Sequence, residues 1–209
     1  DEPLIMGVFP RRNSAETAKL FAPMAAYLGE RLGRDVKLVT SRNFEAFWNA
    51  VTEQRYDIVH YNQYHYIRSA KNYKVIAHTQ EFGKDAVAGV LFVRKDSGIT
   101  EVSQLRGRTV IFGGGKDAML SYIAPRYLLM RAGLKEGDFR TEIAVNPQNA
   151  LVALYYRQAD AAGGGDVVLD QPVIKSAINA KEIRLLAETE PLLFLPWAVK
   201  RTMPAKLGE

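Results

Sequence analysis

The sequence predicts an α/β protein of two lobes, each a mostly parallel sheet flanked by helices. Three observations carry this. Short apolar runs of strand length alternate with stretches whose apolar residues recur at helical spacing, the order that gives parallel sheets covered by helices. The alternation breaks at residues 94–98 (RKDSG) and resumes as a second series of similar length. Polar or glycine-rich segments follow several strands directly, which is where open α/β sheets hold their ligands.

Composition narrows the function classes. The chain has 209 residues, 47% hydrophobic and 24% charged, enough for a real core and unlike a disordered or collagen-like chain. No apolar run approaches the roughly 18–20 residues of a membrane helix, residues 191–199 being the best candidate. The absence of cysteine excludes thiol nucleophiles, Cys-ligated zinc and iron–sulfur clusters. A net charge of +5 comes from scattered Lys and Arg without an aromatic-interleaved basic stretch, so nucleic acid is not an expected partner. The chain opens at Asp1 with no Met and no signal peptide, which fits a processed, exported form.

In order, residues 4–9 read as a buried strand between two prolines, and 13–16 as the cap of a helix that Gly33 stops. Residues 36–39 and 56–59 read as strands around a helix over 44–51, and 74–78 and 87–93 as two more strands. In the second series, a strand over 109–112 runs into Gly113-Gly114-Gly115-Lys116-Asp117 and a helix that ends at Gly133. A strand over 142–145, a helix over 149–156 and a strand over 159–162 follow. Then come Gly163-Gly164-Gly165-Asp166, a further helix, and late strands over 183–186 and 194–199. The expected division is residues 1–93 with 196–209 as one lobe and 94–195 as the other. Crossings and hinges near 94–98 and 188–195 would leave a ligand cleft between the lobes.

Four segments qualify as ligand-facing. Gly113-Gly114-Gly115 lets backbone approach a ligand, and the first N–H groups of the next helix favour an anion, with Lys116 adding charge. It is neither a nucleotide P-loop nor a dinucleotide fingerprint, because the Ser/Thr after the lysine and the Gly-x-Gly-x-x-Gly spacing are missing. Residues 60–66 (HYNQYHY) crowd two of the three histidines and three of the ten tyrosines into seven positions, which suits a cleft edge, aromatic packing or a Tyr/His metal site. Gly163 to Asp166 mirrors the first glycine run, with Asp166 a ligand contact or a helix cap. Arg11, Arg12, Asn13 and Ser14 stand where a helix N-terminus meets an anion, and Asn146 and Asn149 read as polar cleft residues or caps. No Gly-x-Ser-x-Gly elbow occurs, and no His stands beside a plausible nucleophile in sequence, so catalysis is not expected.

Residues 7–23, 56–59 (YDIV) and 90–97 (VLFVRKDS) resemble the phosphate/phosphite/phosphonate-binding proteins of ABC transporters. The resemblance continues through Phe112-Gly113, 125–128 (PRYL), 149–151 (NAL), 158–160 (QAD) and 195–199 (LPWAV), covering essentially the whole chain in order. It implies a periplasmic-binding-protein fold of type II-like organisation, closing on a ligand that passes to a membrane permease. Family members continue several tens of residues past position 209, so the resemblance implies a chain that is short at its C-terminus.

The resemblance also carries site residues. The family tyrosine after the third strand matches Tyr61 or Tyr66, and an aromatic ahead of the lobe crossing falls on Val87. The Ser-Thr-Ser-Gly run that holds the phosphorus oxygens falls on Ala118-Met119-Leu120-Ser121, so most of its hydroxyls are absent. A family histidine falls near Asn146 and an acidic residue near Asp166 or Val167. The expected ligand-binding set is Tyr61, Asn62, Lys116, Asp117, Ala118, Met119, Ser121, Tyr122, Asn146 and Asp166, with no catalytic residue and no cofactor.

The expected function is therefore an extracytoplasmic solute-binding protein, periplasmic or at the cell surface, that captures a small oxyanion or other small polar ligand for import. It is expected to be a monomer that works with an ABC permease. The alternatives are a ligand-sensing partner of a histidine kinase, and a metal-uptake protein using His60, Tyr61, Tyr64 and His65.

Overall fold

The computed structural model describes residues 2–81 and 83–204. The chain forms two units, Asp1–Thr79 with Phe194–Glu209, and Gln80–Leu193. The first contains β1 (Leu4–Val8), α1 (Ser14–Leu32), β2 (Val36–Thr40), α2 (Phe44–Thr52), β3 (Ile58–His60), α3 (Gln63–Ser69) and β4 (Tyr73–His78). A returning strand, β12 (Pro196–Lys200), completes it. The sheet order is β2-β1-β3-β12-β4. β1 runs parallel to β2 and β3, while β12 runs antiparallel to β3 and β4. Four strands thus share one direction and β12 alone opposes them.

The second unit contains β5 (Ala86–Val87), β6 (Gly89–Arg94), β7 (Thr109–Gly113), α4 (Ala124–Arg131), β8 (Arg140–Ala144), α5 (Pro147–Tyr155), β9 (Ala161–Gly165), α6 (Pro172–Ala177), β10 (Ile183–Glu188) and β11 (Leu192–Leu193). The main sheet has the order β10-β6-β9-β7-β8, and β5 pairs with β11 in a separate ribbon. Here too one strand, β6, opposes four, being antiparallel to β9 and β10 while β7 is parallel to β8 and β9. The expectation of mostly parallel sheets describes both units.

Asparagine begins four of the helices. Asn13, Asn43, Asn62 and Asn146 each stand in extended backbone and accept the N–H of the third residue on, at 2.8–2.9 Å. Such a cap is worth about 1 kcal/mol, and it lets each helix start within a few residues of its strand.

The division of the chain differs from the expected one. Residues 80–93 belong to the second unit, because every residue of β6 is buried and the strand is hydrogen-bonded on both sides, to β9 and β10. An apolar strand covered on both faces belongs at a sheet centre. The break at residues 94–98 is not a crossing but a tied turn inside that unit. Arg94 is 8% exposed and donates to Asp96 Oδ1 (2.9 Å), the Tyr155 carbonyl (2.6 Å) and Glu182 Oε2 (3.0 Å), which fastens the end of β6 to α5 and to the turn at 180–182. The hydrogen bond from Arg94, joined by one from Arg157, holds the Asp96 carboxyl down to about 2 against its desolvation.

The second glycine run also differs. Residues 161–165 form β9 throughout, fully buried, so Gly163 to Gly165 are strand and not a loop after it. The reason is close approach: a Cβ on Gly163 would stand 2.6 Å from the Ser121 carbonyl oxygen, so glycine lets the helix beginning at Met119 lie flush on the sheet.

Candidate functional site

The second unit builds a polar edge where its parallel strands end. β7 finishes at Gly113, and Gly114 (φ 85°) and Gly115 (φ 87°) turn the chain in a conformation that side-chain-bearing residues avoid. The Ala118 N–H then donates to the Gly115 carbonyl, and a π-helical turn, Met119–Ile123, leads into α4. Both Tyr122 N–H and Ile123 N–H donate to the Ala118 carbonyl, which accommodates the extra residue of a π turn. The first N–H groups of a helix lack partners within it, so this start offers backbone donors and a positive dipole end. On the neighbouring strand, α5 starts at Pro147 so close to Gly113 that a Cβ there would stand 2.3 Å from the Pro147 nitrogen.

Adjacent to this edge lies a cavity of about 580 Å³, lined by Lys84, Asp85, Val87, Ala88, Asp166, Glu188, Thr189 and Glu190 among others. Asp166 follows β9 directly; its Oδ1 accepts the Ala88 N–H (3.3 Å) and its Oδ2 stands 3.6 Å from Lys84 Nζ. Gly165 joins the two features, since a Cβ there would meet Leu120 at 3.3 Å on one side and Val87 at 3.6 Å on the other.

The expected ligand residues divide into four groups. Lys116 is exposed, and Asp117 and Met119 are half-buried, at the turn before α4. Asp166 lines the cavity. Ala118 is buried, and Tyr122 is half-buried with its ring edge-on to Phe112 at 5.1 Å.

The remaining four are occupied structurally. Tyr61 is 0% exposed and its hydroxyl pairs with Ser69 Oγ at 2.9 Å, so it is a core residue and presents nothing to a ligand. Ser121 is buried and donates to the Gly113 carbonyl. Asn62 and Asn146 use their side-chain oxygens as the caps of α3 and α5. Asn62 and Asn146 are short polar side chains just after strands, where they satisfy the backbone of the next helix.

Residues 60–66 turn inward. The His60 ring stacks on Trp197, and Nδ1 lies 3.1 Å from the Pro196 carbonyl. His65 is fully buried among Phe9, Phe44, Phe47, Trp48 and Tyr61, and neither ring nitrogen has a hydrogen-bond partner. Burial pushes both imidazoles down to about 3, helped at His60 by Arg11 and Arg12 and at His65 by Arg68, while the Pro196 contact opposes it at His60. Burial pushes the Tyr61 phenol up. This is a neutral aromatic core, and it does not form the Tyr/His ion site that the residue types allow. Among the described residues no three His, Asp or Glu side chains gather to hold a metal ion, and no helix is long and apolar enough to cross a membrane.

Sequence reasoning missed Lys84, Glu188 and Glu190, which line the cavity from the segments that flank the β5–β11 ribbon. Their only signal is charge in short connections, which surface loops share.

Two α/β units, each with four co-directional strands and one reversed, and a polar edge at the strand ends define a two-lobed periplasmic-binding-protein fold. Residues 6–209 match the family model described as ABC transporter, phosphonate, periplasmic substrate-binding protein, and the chain belongs to that family.

Solved structures share the fold. A binding protein component of an ABC phosphonate transporter from Pseudomonas aeruginosa is similar at 15% identity and a TM-score of 0.82, over 99% of this chain and 71% of that one. PhnD1 from Prochlorococcus marinus, in complex with methylphosphonate, is similar at 18% identity and a TM-score of 0.81, over 99% and 79% of the two chains. A Xanthomonas citri protein bound to ATP is similar at 19% identity and a TM-score of 0.81, over 100% and 80%. The family is one of substrate-binding transport proteins, so this chain is a substrate-binding protein of the ABC-transporter class.

Proposed function

We propose that this chain captures a small phosphorus oxyanion of the phosphonate, phosphite or phosphate class in the periplasm or at the cell surface and hands it, as a monomer, to an ABC permease without chemical change. The observation that carries the oxyanion is the helix start after Gly113 to Gly115. Backbone donors of Met119 to Ser121 and the exposed Lys116 sit at the C-terminal end of a central parallel strand.

The family hydroxyls at this start are replaced by Ala118, Met119 and Leu120, and the hydroxyl of Ser121, which falls on the family glycine, is spent on Gly113. Each charge-assisted hydrogen bond is worth about 1.5–3 kcal/mol, so recognition here falls to backbone N–H groups and lysine charge.

The test is a thermal-shift panel on protein stripped of carried-over ligand by unfolding and refolding, with phosphate, phosphite, methylphosphonate, sulfate, carboxylates, amines and metal ions. A ligand at 100 times its Kd adds about 2.7 kcal/mol and raises the melting point by roughly 5–10 °C at this size. A rise with phosphorus oxyanions supports the reading. A rise confined to amines, carboxylates or metals overturns it.

A further inference from the structure

The cavity of the second unit holds an ion pair of unequal partners. Asp166 is fixed: its side chain is 23% exposed, it stands at the end of β9, and its Oδ1 takes the Ala88 N–H. Lys84 is loosely held. Its backbone is bridged to Glu81 in both directions, but its side chain is 48% exposed and its Nζ stands 3.6 Å from Asp166 Oδ2. A half-exposed pair at that distance contributes little to stability, so the ammonium turns to another anion at small cost.

Around this pair the charge is one-sided. Asp85, Asp166, Glu188 and Glu190 line the cavity, and among the described residues Lys84 is its one cationic lining residue. Without the lysine, the charged side chains described around an oxyanion entering here are all carboxylates. The neighbouring helix start carries no side-chain hydroxyl at 118–120, and Gly165 brings that start and this cavity together through Leu120 and Val87. A volume of about 580 Å³ suits a small ligand.

We propose that Lys84 is a specificity-determining residue of ligand capture, a built-in counter-cation that neutralises Asp166 and meets the anionic end of the ligand. The site then takes a phosphonate without a cationic group in preference to one that carries an amine, because the amine competes with Lys84 for Asp166. This rests on the phosphorus-oxyanion reading above.

The experiment compares methylphosphonate with 2-aminoethylphosphonate by titration calorimetry on the full chain as wild type, Lys84→Met and Lys84→Arg, with melting curves to verify folding. Wild type is expected to bind methylphosphonate at least tenfold tighter than the amine. Lys84→Met is expected to lose at least tenfold toward methylphosphonate and to gain toward the amine, and Lys84→Arg to restore the wild-type order. Constants within twofold of wild type in Lys84→Met, or a wild type that prefers the amine, overturn the role of Lys84 while leaving phosphonate capture standing. A wild type that binds no phosphorus oxyanion overturns both.

Discussion

The imidazole of His60 lies on the indole of Trp197 with ring centroids 4.4 Å apart and planes 16° from parallel, and its Nδ1 donates to the carbonyl of the preceding Pro196. The contact ties β3 to the antiparallel strand β12, where His60 and Trp197 are register partners. Burial commits the histidine to its neutral form against the pull of the Pro196 hydrogen bond, as it does for His65, which also packs on Phe9.

Stability is therefore expected to fall on acidification. Both histidines have folded pKa values lowered from 6.5 to about 3. Between those values the unfolded chain binds more protons than the folded one, so stability is full above pH 6.5 and is lost as pH falls toward 3. Two such groups give a slope that approaches about 3 kcal/mol per pH unit below pH 6, or about 4 kcal/mol between pH 7.5 and 5. Denaturant midpoints at pH 7.5 and 5 measure this. His65→Phe is expected to halve the slope and, by removing two buried nitrogens without partners, to leave stability at pH 7.5 unchanged or higher. An unchanged slope in that variant would remove His65 as a source.

Gly163→Ala is expected to destabilise the second unit by about 1–3 kcal/mol, as overpacking does. The new methyl group would meet the Ser121 carbonyl at 2.6 Å, Pro125 at 2.8 Å and Phe112 at 2.9 Å, so helix backbone has to move. Gly164→Ala is the control, since its methyl group meets Phe92 side-chain atoms at 3.0 Å, which can shift at lower cost. Calorimetric melting is expected to show the larger drop for Gly163→Ala, together with weaker phosphonate binding, because the displaced segment is the helix start.

The residues at issue show what a sequence discloses. The alternation of strands and helices and the cap at Asn13 were legible because they are local, whereas Asn146, equally able to cap a helix or face a cleft, was decided only by its hydrogen bond to Asn149. The unit to which 89–94 belongs was not, because GVLFVR is equally apolar on either side of a crossing and only its pairing with β9 and β10 decides. Gly163 to Gly165 read as a loop because a strand that exists to admit a helix carries no side-chain pattern. In residues 60–66 aromatic density was visible, but whether such rings face a ligand or one another depends on how α2 and the distant strand β12 pack against them.

Tyr61→Phe is expected to lower stability by about 1 kcal/mol and to leave ligand affinity unchanged. The substitution removes the hydroxyl paired with Ser69 Oγ inside a fully buried ring cluster, and a typical buried hydrogen bond is worth about that much. Chemical denaturation and ligand titration of the same variant separate the two readouts. A loss of affinity without loss of stability would return Tyr61 to the ligand site.

The helix start after β7 makes a reciprocal prediction. Lys116 is exposed in the turn, so Lys116→Ala costs the fold little, yet it removes a charge from a site short of neutral donors. Methylphosphonate affinity is expected to fall about tenfold, equivalent to about 1.4 kcal/mol, and the fall is expected to shrink with added salt. Met119→Ser works in the other direction. It places a hydroxyl on the first residue of the π-helical turn, and a net hydrogen bond of about 0.5–1.5 kcal/mol corresponds to a gain of up to about tenfold. In the double variant the restored hydroxyl is expected to offset the lost lysine. Equal affinities across all four proteins would show that the oxyanion does not meet this helix start.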